Sequence, residues 1–228
     1  MPEILTSNVE FKTNGETAHG FLARPDGDGP FPGVIVVQEW WGIDDHIKDV
    51  AQRFAREGFA AFAPDLYHGK ATSEPGEAQK LMMGLDMNRA SRELVAAAED
   101  LSGQSFIGGG IGATGFCMGG GLALTLACNS THIKAAAPFY GVNPNPIDKV
   151  KDLAGPLFAV YAEHDDFAGE SVRNGLETAL KQHGKQFEIK TYPGTQHAFF
   201  NDTRPDVYAK DAATDAWQKV LALFRDNL

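Results

Sequence analysis

The stretch Gly115-Phe116-Cys117-Met118-Gly119 constrains this chain more than any other. Residues 111–116 pattern as a strand, and Gly120, Gly121 and the apolar run 122–127 pattern as a helix that follows without a loop. A strand that turns at once into a helix forces its corner residue into a sparsely populated backbone conformation, and side chains two residues to either side collide. Glycine at 115 and 119 meets that demand and leaves one nucleophilic side chain, Cys117, at the corner. The pattern is a nucleophile elbow with cysteine in place of serine. Taken alone, a cysteine in a Gly-rich turn reads first as a small buried apolar side chain. The rest of the chain reverses that reading.

In chain order, residues 8–12 and 17–24 alternate loosely around Asn14-Gly15, a hairpin signal, and predict an antiparallel start. Residues 33–37 form a continuous β-branched run, expected as a central parallel strand buried on both faces. An amphipathic helix over 46–57, capped by Asp44 or Asp45 and stopped by Gly58, leads to a second buried strand over 59–63. A polar loop over 67–76, a short helix over 78–83 and a long helix over 88–101 precede the elbow. Strands are expected over 133–140, 156–162 and 187–192, and helices over 169–183 and 207–224. Strands alternating with helices imply right-handed crossovers and a mostly parallel sheet of about eight strands in one domain spanning 1–228.

Gly110-Ile111-Gly112-Ala113-Thr114-Gly115 also spells the dinucleotide fingerprint G-x-G-x-x-G. That motif must follow a strand and be answered about 20 residues later by an acidic side chain. Here the glycines lie in the strand itself, and no Asp or Glu occurs between Cys117 and Asp148. The nucleotide reading is therefore set aside.

An elbow nucleophile needs a base and an acid, which in this architecture follow at the ends of later strands in the order nucleophile, acid, base. Strand 156–162 runs into Glu163-His164-Asp165-Asp166, and strand 187–192 into Pro193-Gly194-Thr195-Gln196-His197. Parallel strands bring these loops to one carboxyl edge of the sheet, so Cys117, Asp165 and His197 are expected to converge, with Asp166 the alternative acid. The oxyanion donors expected from the same geometry are the backbone N–H of Met118, at a helix N-terminus that favours a thiolate, and that of Trp40. Glu39 is a carboxylate at the end of a buried strand, which costs stability unless it is used. Trp41, Tyr140, Phe199 and Arg204 are the expected substrate-contacting residues. The seven histidines show no metal-ligand spacing, and His164 beside two adjacent carboxylates does not supply one, so neither metal nor cofactor is expected.

A formal charge of −10 without a basic cluster excludes nucleic acid and anionic membranes as partners and leaves a small molecule. The two cysteines, Cys117 and Cys128, fall along one helix too far apart to bridge, and free thiols suit the cytoplasm. The N-terminal residues lack a basic-then-apolar leader, and no apolar run is long enough to span a bilayer. A monomer or a dimer fits equally.

Over nearly its full length the chain resembles the dienelactone hydrolase family of α/β-hydrolases, the carboxymethylenebutenolidases. The residues that carry the resemblance are Gly20-Phe21-Leu22-Ala23-Arg24-Pro25, Gln38-Glu39-Trp40-Trp41-Gly42, Pro64-Asp65-Leu66-Tyr67, Gly115-Phe116-Cys117-Met118-Gly119-Gly120, Phe139-Tyr140-Gly141 and the Asp165 and His197 loops. The resemblance implies hydrolysis of a small lactone or activated ester, such as an enol-lactone, through an acyl-cysteine intermediate. It also implies that Glu39 hydrogen-bonds the resting thiol and takes part in its activation. One departure stands out: an arginine that clamps the substrate carboxylate in chlorocatechol-pathway members is matched here by Asn201, and 74–81 holds no arginine, leaving Arg204 or Arg89 as substitutes. An acyltransferase, another esterase or thioesterase, and a non-catalytic binding protein are the competing readings.

Overall fold

The computed structural model describes residues 3–13 and 15–228. The expected hairpin turn falls partly on Asn14, outside the described residues; Gly15 beside it takes φ +83°. Strands β1 (Ile4–Thr13) and β2 (Glu16–Pro25) pair antiparallel, and β2 pairs antiparallel with β4 (Ala60–Pro64). From there the sheet is parallel: β4, β3 (Phe31–Val37), β5 (Ile107–Phe116), β6 (Ile133–Phe139), β7 (Leu157–His164) and β8 (Phe187–Gln196). Val34, Ile35, Val36 and Val37 are fully buried, as expected of a β-branched strand covered on both faces.

Helices α1 (Asp45–Arg56), α2 (Pro75–Met83), α3 (Met87–Ser102), α4 (Met118–Asn129), α5 (Glu170–Gln182) and α6 (Lys210–Asn227) connect and close the sheet. Asp44 caps α1 through its side chain, which accepts from the Ile47 N–H at 3.0 Å. The chain leaves β3 leftward to β4 through α1, then returns past β3 to β5 and continues rightward through α4 to β6. Right-handed crossovers in opposite directions put α1 and α4 on opposite faces and make the carboxyl ends of β3 and β5 a switch point. On its face α1 meets α6 through Phe54, whose ring lies 4.5 Å from Trp217 and 5.9 Å from Phe224.

Several element bounds differ from the sequence expectation for identifiable reasons. β5 begins at Ile107 because Phe31 pairs with it across a register shift that absorbs the glycines Gly108–Gly110, which on propensity alone read as loop. β7 and β8 both run further, to His164 and Gln196, which pair with each other beyond another register shift. Pro193 within β8 is tolerated because β8 is the edge strand. Helix α6 starts at Lys210, since the N–H groups of Val207 and Tyr208 turn back to the Arg204 carbonyl. A short 3-10 helix over Ile147–Asp152 carried no periodic signal.

At the switch point α4 begins in direct contact with the end of β3. A Cβ on Gly119 would stand 2.3 Å from the Gln38 carbonyl oxygen and 2.4 Å from that of Val37, and one on Gly115 would stand 2.3 Å from the Gly119 oxygen. Only glycine permits this approach of three backbone segments. Gly119→Ala is therefore expected to destabilise the fold by about 3 kcal/mol or more, since rigid backbone and not a flexible side chain must give way. Urea denaturation measures it; a loss below about 0.5 kcal/mol contradicts the contact.

Candidate active site

Cys117 stands between β5 and α4 with φ 57° and ψ −119°, a conformation rarely adopted by a residue with a side chain. Its N–H donates to the Phe139 carbonyl at 3.1 Å and its carbonyl accepts from Gly120 N–H at 3.0 Å, so the corner is held from both sides. The thiol is half-buried, in contrast to Cys128 along α4, which is buried and whose thiol burial pushes up to about 12. Three more non-glycine residues with positive φ follow other strands: His68 (φ 52°) after β4, Tyr140 (φ 38°) after β6 and Ala198 (φ 67°) after β8. Strain is thus concentrated at one edge of the sheet.

The last β7–β8 pair is His164 with Gln196, and the next residue on each strand is Asp165 and His197. The two side chains meet: His197 Nδ1 lies 2.8 Å from Asp165 Oδ2. The other oxygen, Oδ1, accepts from the N–H groups of Phe167 and Ala168, each at 2.9 Å. Burial alone disfavours the Asp165 carboxylate, but these hydrogen bonds overcome it and hold its pKa below the usual range. Asp166, the alternative acid, is exposed. Burial also disfavours a charged imidazole at His197, yet its hydrogen bond to Asp165 and the adjoining Cys117 sulfur and charges raise its pKa to about 10. Its Nε2 is buried and has no hydrogen-bond partner among the described residues.

Glu39 follows β3 and is 2% exposed. Its carbonyl accepts from Gly42 N–H at 3.3 Å, closing a tight turn that carries Trp40 and Trp41. Oε2 accepts from Asn201 Nδ2 at 3.1 Å, while Oε1 is buried without a partner. Desolvation, reinforced by the charge of Asp44, raises the Glu39 pKa to about 7 against the opposing influence of Asn201, His197 and Arg204. Gln38 anchors the same turn, its Oε1 accepting from Leu66 N–H at 3.1 Å. Met118 opens α4 on the segment that touches the Gln38 carbonyl, so its N–H and that of Trp40 lie on abutting stretches of backbone.

The family model described as "Dienelactone hydrolase family" matches residues 18–228. The chain belongs to the dienelactone hydrolase family, and with it to hydrolases of carboxylic esters or lactones. A relative from Aquifex pyrophilus, "Protein usf", is 36% identical over 96% of this chain and 98% of its own. One from Aquifex aeolicus, named "Putative carboxymethylenebutenolidase", is 33% identical over 96% of this chain and 98% of its own. A crystal structure of a "Putative Dienelactone Hydrolase" from Klebsiella pneumoniae is 30% identical and superposes with a TM-score of 0.89 over 98% of this chain and 99% of that one.

Not every expected substrate contact in this family member has surface to offer. Phe199 is fully buried, its ring 5.8 Å from Tyr140 and 5.2 Å from Tyr192, so it supports the site from behind. Tyr140 is 1% exposed, and its ring lies 4.9 Å from that of His197. Trp40 and Trp41 are partly exposed and pack edge to face at 4.7 Å. Arg204 is partly exposed and bonds Asp206 at 3.1 Å, near enough to Glu39 for its charge to be felt there. Arg89 cannot serve as a substitute clamp: Glu93 at 2.7 Å and Glu16 at 3.0 Å occupy its guanidinium.

Three residues were not read from sequence as site residues. Tyr67, after β4, reaches Met118 with its hydroxyl 3.7 Å from Sδ, and burial together with the Cys117 charge raises its pKa to about 12. Its position at a carboxyl strand end was an available signal. Phe167 is 71% exposed with its ring 5.2 Å from that of His197, and Asn201 had been noted only as a missing arginine. No pattern in one sequence marks either.

Glu39 gives a stability prediction. Its pKa rises from 4.5 to about 7 on folding, so the folded state binds that proton more tightly. Stability from this group is present below pH 4.5 and lost as pH rises to about 7, a difference of about 3 kcal/mol. Glu39→Gln removes the titration, so the variant is expected to gain on the parent by about 1–3 kcal/mol between pH 5 and pH 8. Denaturant unfolding at the two pH values measures this; a constant difference contradicts the raised pKa.

Proposed function

We propose that the chain is a cysteine hydrolase of a small lactone or activated carboxylic ester, with an enol-lactone the best-suited substrate class, in which Cys117 is the nucleophile, His197 the base and Asp165 its orienting acid. The observation that carries this reading is the His197–Asp165 hydrogen bond at the end of β7 and β8, with the free Nε2 beside a strained, partly exposed thiol. Family membership supports the reaction class.

In this mechanism the thiol proton resides on His197 as Cys117 becomes a thiolate. The raised pKa of His197 supports that direction, since Asp165 and the sulfur both favour the imidazolium. Sγ adds to the substrate carbonyl, and the oxyanion accepts from the N–H groups of Met118 and Trp40. Collapse expels the ring oxygen as an enolate, which takes the proton from His197 and becomes the ketone. The acyl-cysteine is then cleaved by water deprotonated at His197, releasing the keto acid and restoring the thiol. Glu39, buried and titrating near neutrality, governs when the thiol ionises. Trp41 shapes the wall, with the buried Tyr140 backing His197, Arg204 is the available cation, and the enzyme acts in the cytoplasm without cofactor or metal.

The test is an assay of p-nitrophenyl esters and lactones before and after treatment with iodoacetamide. Cys117 is expected to be labelled before the buried Cys128, with loss of turnover in proportion to its labelling. Full labelling of Cys117 with activity intact contradicts the assignment.

A further inference from the structure

Asn201 is 1% exposed and lies in the turn that follows His197, where its own N–H donates to the Ala198 carbonyl at 2.9 Å. Its side-chain oxygen accepts twice from Thr203, from the N–H at 3.0 Å and from the hydroxyl at 2.6 Å. A backbone N–H can only donate, so Oδ1 is fixed as the atom facing Thr203 and the NH2 group must face Glu39. There Nδ2 donates to Glu39 Oε2 at 3.1 Å and leaves Oε1 as the carboxyl oxygen without a protein partner. The contact is the only side-chain hydrogen bond to Glu39 among the described residues.

We propose that Asn201 is a positioning residue for the thiol-activating step: pinned by Thr203, it fixes the Glu39 carboxyl in one orientation, bonds Oε2 as acceptor and leaves Oε1 as the oxygen that gains and loses the proton. The proposal rests on the role given above to Glu39. A neutral amide serves here because it orients the carboxyl without holding it permanently ionised, as a guanidinium or ammonium would. The charged and titratable groups that face Glu39 are Asp44 at the start of α1, His197 and Arg204 in the segment after β8, and Tyr140 at the end of β6. Asn201, unlike these, is uncharged at every pH, so its removal alters the Glu39 titration through one hydrogen bond.

The experiment is the pH dependence of Cys117 alkylation by iodoacetamide, followed by mass spectrometry in the full-length protein. The variants are Glu39→Gln, Asn201→Ala, Asn201→Asp and Thr203→Val. The parent profile is expected to contain an inflection near pH 7 that is absent in Glu39→Gln. Losing the Asn201 donor disfavours the carboxylate, so Asn201→Ala is expected to move the inflection upward by about one pH unit. Asn201→Asp, nearly the same size but an acceptor only, is expected to move it further in the same direction, and Thr203→Val, at a surface position, by a smaller step. That ordering is not produced by a general loss of stability. If Glu39→Gln lacks the inflection while all three other variants keep it unmoved, the positioning role of Asn201 is overturned and that of Glu39 stands. If Glu39→Gln keeps the inflection, both are overturned.

Discussion

The close approach of the first turn of α4 to the end of β3 is the constraint on which the site depends. Gly119 packs against the carbonyls of Val37 and Gln38, and this contact does two things at once. It lets the chain turn through the positive φ of Cys117, and it brings the Glu39–Gly42 turn alongside the helix N-terminus. A methyl group at 119 would separate the nucleophile from the segment expected to complete the oxyanion site. The strain at Cys117, Tyr140 and Ala198 is sustained by parallel pairing beneath it, in particular Phe116 with Phe139 and His164 with Gln196.

Above that frame, two carboxylates are driven to opposite behaviour by their surroundings. Asp165 receives two backbone N–H groups and the His197 ring, which together outweigh its burial and keep it ionised. Glu39 receives one side-chain amide, and its burial together with the charge of Asp44 outweighs the opposing influence of Asn201, His197 and Arg204, so it titrates near 7. Groups of one chemical type with diverging pKa values are what acid–base division of labour requires. Under the proposed mechanism the ionised carboxylate orients the base, and the one that titrates near neutrality controls the thiol.

Much of this was legible in the sequence because it follows from short-range rules. The elbow glycines, the β-branched run of β3 and the order Cys117, Asp165, His197 at strand ends each reflect a local backbone requirement, and the structure brings all three side chains to one edge. The convergence of Asp165 with His197 was expected, but the pairing that enforces it was not, because Glu163-His164 and Pro193–Gln196 are polar or proline-containing and read as loops until the register shift joins them. Phe199, expected to contact substrate, is buried for a related reason: proximity in sequence to His197 says nothing about which way a turn with Ala198 at positive φ sends the next side chain. Tyr67 and Asn201 act through contacts with residues 51 and 162 positions away, which no local pattern encodes.

The central claim is that acyl transfer passes through the sulfur of Cys117. Intact-mass analysis of the unaltered protein, quenched in acid in the first turnovers of a p-nitrophenyl ester, tests it most directly. The account predicts an added mass equal to the acyl group, located by peptide mapping on Cys117 and removed by hydroxylamine. Turnover with no acyl adduct on Cys117, or an adduct on another side chain, would contradict it.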